Sequence, residues 1–351
     1  MKHTLLSLAL LSAPLVADPG SQPLSHFQVI GTHNSYHLEP GAAEKEFIAL
    51  KSKKQVMALE YSHPPLKEQF DQGIRQIELD LFADPEGGRF AEPAVFKLAA
   101  AKGGTQPEAI NDSEGKLKKP GTKVLHFPEF DFRSNYLTLT DALAEVRQWS
   151  LKNPKHFPIL VLLELKGSAR NWEADALLEF EQEILTAIPK GHLLTPDDVR
   201  GRHANLRSAI EADGWPSLDE SRGRIILALD NTNEVLAHYL EPDPLVKGRL
   251  MFPSCPSEDH PSAAWFKMND PVKEFELIKS RTEAGFLVRT RADSGTWQAR
   301  RNDVSRRDTA FASGAQFIST DFPKPNPDFS TYAVTLPNED LAYHLKDSAA
   351  K

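Results

Sequence analysis

Cys255 is the only cysteine in the 351 residues, so no disulfide can form within the chain. Stability must therefore come from a packed hydrophobic core rather than from cross-links. No motif surrounds Cys255, and we interpret it as a small residue in a loop or at a strand end rather than as a reactive thiol.

Long apolar runs are missing after the N-terminal segment, since no later stretch holds the roughly 20 uninterrupted apolar residues that cross a bilayer. The N-terminus itself has a basic residue, Lys2, an apolar stretch over residues 5–16, and Ala17 as a small residue suited to signal-peptidase cleavage. We therefore predict a signal peptide over residues 1–17. The mature protein is expected to be soluble and either secreted or periplasmic.

An excess of positive charge is also missing, because the formal net charge is -8 and the sequence pI is about 5.9. Such a chain lacks the broad basic surface that nucleic-acid binding uses. Any anionic partner is therefore expected to bind at a local site. With 40% hydrophobic and 26% charged residues, the composition is that of a soluble globular protein. We expect no nucleic-acid partner and a monomer.

Eight short apolar or alternating runs recur along the chain, several of them separated by segments with helical spacing. They are "HFQVIGT", "IRQIELDLF", "KVLHF", "PILVLLELK", "GRIILALD", "RLMFPS", "GFLVRTRAD" and "AQFISTDF". This alternation predicts an α/β fold with a parallel sheet, and eight strands indicate a single TIM-type (β/α)8 barrel, with some distortion allowed. We assign residues 24–335 to the barrel and 336–351 to a C-terminal tail. Residues 84–122 are expected to form a long loop with little regular structure.

Polar and charged residues follow the apolar part of these strands, at the carboxyl ends where active sites of such barrels form. They are His33 and Asn34; Glu78 and Asp80; His126; Glu164 and Lys166; Arg289, Arg291 and Asp293; and Asp321. Residues two apart on a strand share a face, so each strand can direct several of these groups to one barrel mouth.

The carboxylates in this set predict a metal site. Buried charges are costly unless they are paired or bound to a metal, and few cations are expected close to these acids. Asn34, Glu78, Asp80 and Glu164 offer only oxygen ligands, which suit Ca²⁺ better than zinc. Taken alone, "IELDL" also suits a strand whose acids merely face solvent.

Two histidines flank the predicted metal site, which favours general acid–base chemistry on a phosphodiester. Of His33 and His126, one could accept the proton of an attacking hydroxyl while the other donates a proton to the leaving oxygen. In a closed barrel the last strand lies beside the first, so Asp321 can orient His33, although a cap on the following turn is an equal alternative. Tyr36 and His37 lie one turn further out, and for them a supporting or substrate-contact role is less favoured than a purely structural one.

The runs "GTHNSYH", "IELDLF", "VLHF" and "VLLELK", together with "LVRTRAD" and "FISTDFP", resemble the bacterial calcium-dependent branch of the phosphoinositide-specific phospholipases C. This resemblance implies a TIM-type barrel that cleaves phosphatidylinositol-type phosphodiesters through a cyclic inositol phosphate, with His33 and His126 as catalytic residues. It also implies that Asn34, Glu78, Asp80 and Glu164 bind Ca²⁺. For this mechanism we assign His126 as the acid and leave the base open between His33 and Glu78. Phosphate or headgroup contacts are assigned, mainly on chemical grounds, to Lys166, Arg289 and Arg291.

Other functions remain open at this point. Glycerophosphodiester phosphodiesterases are also metal-dependent barrels, but they resemble a His-Arg-Gly first motif where this chain has "THNS". A non-catalytic barrel that binds phosphate or carbohydrate could use the same charges, and a zinc hydrolase could use His33, His37 and His126. A lipid substrate implies peripheral membrane contact, yet no basic amphipathic helix is evident, so a soluble inositol phosphodiester stays possible as a substrate.

Overall fold

The computed structural model describes residues 19–336 and 342–344, so the predicted signal peptide at 1–17 lies outside the described residues. Within the described part of the chain, no helix combines the length and the apolar character needed to span a membrane.

In the described part of the chain ten strands form one sheet, and eight of them pair in parallel as a barrel. The strands are β1 Phe27–Thr32, β2 Gln76–Phe82, β3 Lys123–Val124, β4 Ile159–Leu165, β5 Ile225–Leu229, β6 Met251–Pro253, β7 Trp265–Lys267, β8 Leu287–Arg291, β9 Phe317–Thr320 and β10 Tyr343–His344. Their order around the barrel is β6-β5-β4-β2-β1-β9-β8-β7, and a parallel bridge between Ser254 and Trp265 joins the two ends. The predicted TIM-type barrel is confirmed.

Thirteen α-helices lie in the described residues. They are α1 Ala42–Lys51, α2 Lys53–Ala58, α3 Leu66–Asp71, α4 Ala94–Lys102, α5 Leu139–Lys152, α6 Ala174–Ala187, α7 Pro196–Arg200, α8 Leu206–Ala212, α9 Leu218–Ser221, α10 Glu234–Leu240, α11 Phe275–Glu283, α12 Trp297–Arg301 and α13 Ser305–Ala312. Helix α5 illustrates how the sequence specifies a helix. The Thr138 side chain caps its start by accepting a hydrogen bond from the backbone N–H of Asp141, and Leu139, Leu143 and Val146 form one buried face.

Strand β4 shows why the barrel strands are apolar. Every residue of Ile159–Leu165 except Glu164 is buried, because the barrel interior covers one face and helices cover the other. The core is continuous from these strands to the inner faces of the helices. The charged exception lies near the carboxyl end of the strand, where the mouth of the barrel begins.

The prediction that "KVLHF" is a barrel strand is wrong. Only Lys123–Val124 is extended, and it pairs antiparallel with β2, with Val124 opposite Leu81. The eighth barrel strand is instead Trp265–Lys267, which was not among the eight predicted runs. The predicted number of barrel strands, eight, is therefore correct, but one of the eight predicted strands does not belong to the barrel.

The segment 84–122 has more structure than the sequence predicted. It contains helix α4 and a 3₁₀ turn over Lys116–Lys118. Beneath it lies a separate apolar cluster that includes Phe90, Val95, Leu125 and Phe132. This cluster joins the segment to the loop after β3, because Phe90 and Val95 pack with Leu125 and Phe132.

Strand β10 lies in the predicted tail, 336–351. It pairs antiparallel with β1, with His344 opposite Phe27.

Candidate active site

The chain turns sharply at the end of β1, and this turn places His33 and Asn34. The backbone N–H of His33 still donates to Thr320 on β9, at 3.1 Å, whereas Asn34 has a φ of 44°. Asparagine tolerates this left-handed conformation better than most residues. Ser35 then ties the turn to β2, because its hydroxyl accepts from the backbone N–H of Glu78 at 2.8 Å.

His33 lies between two carboxylates. Its Nδ1 is 2.8 Å from Oδ1 of Asp321, and its Nε2 is 3.9 Å from Oε1 of Glu78. Burial and the charge of Arg291 together lower the pKa of His33 to about 3, although Asp321 acts in the opposite direction. Burial would raise the pKa of Asp321, but His33 and Arg291 bring it down to about 2. A neutral His33 with Nδ1–H donating to an ionised Asp321 follows from these shifts.

Three acids at the ends of β2 and β4 form one cluster. Asp80 and Glu164 are register partners in the β2–β4 pair, and Glu78 shares a face with Asp80. Each of the three offers a carboxylate oxygen, and these oxygens lie within 4.8 Å of one another. The sequence prediction that these residues meet at the barrel mouth is confirmed.

The premise that few cations lie near these acids is wrong. Lys166 Nζ lies 3.2 Å from a carboxylate oxygen of Asp80 and 3.2 Å from one of Glu164. Arg289 bonds to the other oxygen of Glu78. The sequence analysis missed this pairing because it assigned Lys166 and Arg289 to the substrate. Lys166 lies two residues after Glu164 and pairs with it, and Arg289 reaches Glu78 from β8.

The neighbouring cations do not fully offset the cost of ionising these buried acids. Burial raises the pKa of Glu78 and of Asp80 to about 8 in each case, with neighbouring carboxylates adding to the effect. Burial would also raise the pKa of Glu164, but Lys166 and Lys267 lower it overall. The site therefore favours an additional cation.

The donor atoms suit a calcium ion. Oδ1 of Asp80 is buried and has no hydrogen-bond partner in the described residues, which is unusual for a carboxylate oxygen. Asn34 Nδ2 donates to the Tyr61 hydroxyl at 3.1 Å, so its Oδ1 is the atom left to bind a cation. Carboxylate and amide oxygens together are the ligands that Ca²⁺ prefers.

The two arginines of β8 each bond to one of the two carboxylates beside His33. Arg289 is 1% exposed and bonds to Glu78, Asn269 and Ser319. Arg291 donates to Oδ2 of Asp321 at 3.2 Å.

Asp293, the third charged residue of that run, is not a member of the acid cluster. It accepts hydrogen bonds from the Thr320 hydroxyl, from the backbone N–H of Asp321 at 2.9 Å and from the Tyr332 hydroxyl at 3.2 Å. Its contacts stabilise the carboxyl end of β9.

His126 follows the short strand β3 and pairs with a residue that sequence reasoning missed. Its Nδ1 is 2.5 Å from Oδ2 of Asp131, and His37 Nε2 is 3.0 Å from Oδ1 of the same carboxylate. No strand-end pattern marks Asp131, because it lies in the loop after β3. The alternative zinc set of His33, His37 and His126 does not form, since His33 faces Asp321 and Glu78 instead.

A second pair was also missed, at the ends of β5 and β7. Lys267 Nζ bonds to Oδ2 of the buried Asp230. Burial raises the pKa of Asp230. The "ALD" at the end of "GRIILALD" could have revealed this acid by the same strand-end rule that identified the others. Its partner could not be found because β7 itself was not recognised.

The aromatic ring of Tyr61 links the two histidine groups. Its centroid is 6.3 Å from that of His33 and 4.4 Å from that of His37, with which it stacks. The ring of His126 lies 5.8 Å from that of His37, edge to face. The site therefore combines an oxygen-rich cation site with two histidine–carboxylate groups, one formed by His33 and Asp321 and the other by His37, His126 and Asp131.

Comparison with known proteins assigns this architecture to a family. The family model described as "Phosphoinositide phospholipase C, Ca2+-dependent" matches residues 23–344. A search of curated proteins gave no match.

Solved structures with a similar fold include bacterial phospholipases. The calcium-dependent phosphoinositol-specific phospholipase C of a Gram-negative Pseudomonas species is 16% identical, with a TM-score of 0.59 over 93% of this chain and 97% of that chain. The Ca²⁺-dependent enzyme of Streptomyces antibioticus is 18% identical, with a TM-score of 0.50 over 85% and 94%. The phosphatidylinositol-specific enzyme of Listeria monocytogenes is 17% identical, with a TM-score of 0.50 over 89% and 93%. The family match covers most of the chain, and the chain therefore belongs to the Ca²⁺-dependent phosphoinositide phospholipase C family of phosphodiesterases.

Proposed function

We propose that this phosphodiesterase cleaves phosphatidylinositol between phosphate and glycerol, with the inositol 2-hydroxyl as the nucleophile. The observation that carries this proposal is the contact of His33 with both Asp321 and Glu78, which places a candidate base directly beside the cation site. Attack by the 2-hydroxyl forms a cyclic inositol phosphate and releases diacylglycerol. Water then opens the cyclic phosphate more slowly.

His33 is assigned as the general base. Its Nδ1 is engaged by Asp321, so Nε2 carries the lone pair that accepts the proton of the attacking hydroxyl. The alternative base, Glu78, has one oxygen bonded to Arg289 and one facing the histidine, which suits a metal ligand better than a base. The imidazolium that forms at His33 is stabilised by the carboxylate of Asp321.

His126 is assigned as the general acid. It protonates the glycerol oxygen while the bond from phosphorus to that oxygen breaks, so that the neutral alcohol leaves. When water opens the cyclic phosphate, the two roles reverse: His126 accepts the proton of water and His33 returns a proton to the inositol oxygen. Each histidine then regains its starting protonation state.

Ca²⁺ is held by Asn34, Glu78, Asp80 and Glu164 in this proposal. When bound, the ion offsets negative charge on the phosphoryl oxygens and lowers the pKa of a nearby hydroxyl. Lys166 and Arg291, with side chains 22% and 13% exposed, are assigned to contact the phosphate or headgroup. Arg289 is more deeply buried and bonds to Glu78, so we assign it an effect on the phosphate through its positive charge rather than through direct contact.

The proposal extends to where the enzyme acts. Residues 1–17 are assigned as a signal peptide, and the enzyme is proposed to be exported as a monomer and to meet phospholipid at a membrane surface. Intact-mass measurement of the exported protein should give a chain that begins at Asp18. An exported chain that retains Met1 would contradict the signal assignment.

Product analysis by ³¹P NMR tests the proposed reaction. Purified enzyme with Ca²⁺ and phosphatidylinositol vesicles should produce the resonance of a five-membered cyclic phosphate before that of the opened monoester. His126→Ala should lower the rate of the first step by about 10²- to 10⁴-fold. His203→Ala removes a histidine from a peripheral pair with Asp213 and serves as a matched control that should leave the rate unchanged. Direct appearance of the monoester would contradict attack by the 2-hydroxyl.

A further inference from the structure

Asp131 lies between two histidines in the loop after β3. Its Oδ2 is 2.5 Å from Nδ1 of His126, and its Oδ1 is 3.0 Å from Nε2 of His37. Asp131 is 1% exposed and His37 is fully buried, whereas the side chain of His126 is 14% exposed. One carboxylate therefore joins a buried histidine to the histidine that borders the mouth of the barrel.

The hydrogen bonds fix which atoms of His126 are free. Burial would raise the pKa of Asp131, but His37 and His126 lower it to about 2, so the group is a carboxylate that can only accept. Nδ1 of His126 must then donate to it. Among the described residues no hydrogen bond occupies Nε2 of His126, and that atom is left to carry a transferable proton.

The buried histidine is itself held in place. Nδ1 of His37 faces the carbonyl oxygen of Tyr61 at 3.1 Å, and its ring stacks on that of Tyr61. The backbone of Asp131 is fixed as well, since it exchanges two hydrogen bonds with Phe127, at 2.8 Å and 3.1 Å. Both ring nitrogens of His37 thus face acceptors, and the carboxylate cannot rotate without losing a partner.

We propose that Asp131 is a positioning residue that orients His126 for proton donation, and that His37 holds Asp131 in the required rotamer. The inference rests on the proposed function, because it takes His126 as the general acid. In the step, the Nε2–H bond of His126 breaks, the bond from phosphorus to the glycerol oxygen breaks, and an O–H bond forms on glycerol. Asp131 remains ionised throughout, as carboxylates paired with catalytic histidines do.

A pair of substrates with different leaving groups tests this role. Phosphatidylinositol needs a proton on the departing glycerol oxygen, whereas an inositol 4-nitrophenyl phosphodiester releases a stable phenolate without one. Asp131→Asn should lower kcat on the lipid by about 10- to 100-fold and change kcat on the aryl ester by less than about threefold. A merely structural residue would affect both substrates alike.

Variants of His37 test whether this histidine holds Asp131 in the required rotamer. His37→Gln keeps an N–H donor for Asp131 and should preserve kcat on the lipid to within about threefold. His37→Phe keeps a ring but has no donor, and it should show the same leaving-group-dependent loss as Asp131→Asn. Equal kcat for the glutamine and phenylalanine variants would overturn the role of His37.

Controls separate this inference from the proposed function. Asp213→Asn breaks a His–Asp pair at an exposed position, 2.7 Å from His203, and should change neither rate. Thermal unfolding of each variant shows whether it is folded, and the ratio of the two kcat values is read only on folded protein.

His126→Ala distinguishes the two ways to fail. If it lowers kcat equally on both substrates, the assignment of His126 as the acid is wrong and the inference falls with it. If it selectively lowers kcat on the lipid while Asp131→Asn and His37→Phe do not, only the positioning role is overturned.

Discussion

His33 Nδ1 lies 2.8 Å from Oδ1 of Asp321, and this contact joins the first and the last strand of the barrel. It is possible because β1 and β9 pair in parallel with Thr32 opposite Thr320, so the residues that follow each strand emerge side by side. Closure of the barrel thus brings together two residues that are 288 positions apart in sequence.

The first prediction concerns this contact. Asp321→Asn should lower kcat by about 10²- to 10⁴-fold with little change in KM, because an amide no longer stabilises the protonated histidine. Steady-state kinetics on phosphatidylinositol vesicles measures both parameters. Calcium binding should be retained, since Asp321 is not in the proposed ligand set. A variant that raises KM without lowering kcat would contradict the orienting role.

The second prediction is a pH dependence of calcium binding. Glu78 and Asp80 have pKa values of about 8 without the ion, so protons compete with Ca²⁺ below that pH. Calcium affinity should rise from pH 6 to pH 8, with release of protons on binding. Titration calorimetry in two buffers of different ionisation enthalpy measures both effects, and Asp80→Asn should reduce the proton release. Affinity that is constant over this range would contradict the raised values.

The carboxyl groups of Glu78 and Asp80 also make the stability of the calcium-free protein depend on pH. Their folded-state pKa values exceed their ordinary values of 4.5 and 3.8, so the folded state binds more protons than the unfolded state between those values and about 8. Their contribution to stability is therefore lost as pH rises through that range. Saturating Ca²⁺ should raise the unfolding temperature more at pH 8 than at pH 6.

Most of the fold could be predicted from the sequence, because charged residues at the ends of apolar runs such as "VLLELK" mark both a strand and its carboxyl end. Strand β7, Trp265–Lys267, was missed although "AAWFKM" is an apolar run as short as the one that marked the three-residue strand β6, because such a short run gives no periodicity that separates a strand from a loop. The assignment of "KVLHF" failed because an apolar run of that length does not specify the direction in which it pairs.

The candidate site could be predicted where its residues lie on strands. Glu78, Asp80 and Glu164 follow from the period of two residues and from adjacency in the barrel. Asp131 could not be predicted, because a loop has no such period and its backbone path is set by tertiary contacts.

The third prediction concerns Lys166, which lies between two proposed calcium ligands. Lys166→Gln should raise calcium affinity, because it removes a positive charge 3.2 Å from Asp80 and from Glu164. The same change should raise KM for phosphatidylinositol if the lysine contacts the phosphate. Terbium luminescence reports the first effect and kinetics the second, with Lys67→Gln, at an exposed position of α3, as the control. Lower calcium affinity in Lys166→Gln would contradict this account of the site.

The fourth prediction separates stability from catalysis. Glu181 is buried on α6 and accepts from Arg249 Nε at 2.8 Å, from the backbone N–H of Leu250 at 2.9 Å and from the Tyr239 hydroxyl at 3.0 Å. Glu181→Ala should lower the free energy of unfolding by about 3–5 kcal/mol, because the arginine is left buried and unpaired. Urea denaturation measures this loss, while kcat of the folded fraction should be unchanged. A change in kcat without a loss of stability would show that this cluster acts on the site.

The most direct test of the central claim is release of inositol phosphates from phosphatidylinositol vesicles by the purified mature protein, in excess EDTA and after Ca²⁺ is restored, beside His33→Ala. We predict that EDTA abolishes the activity, that Ca²⁺ restores it, and that the variant lacks it while still binding the ion. Activity that persists in EDTA would contradict the calcium site formed by Asn34, Glu78, Asp80 and Glu164, and full activity in His33→Ala would contradict the catalytic role of the histidine at the end of β1.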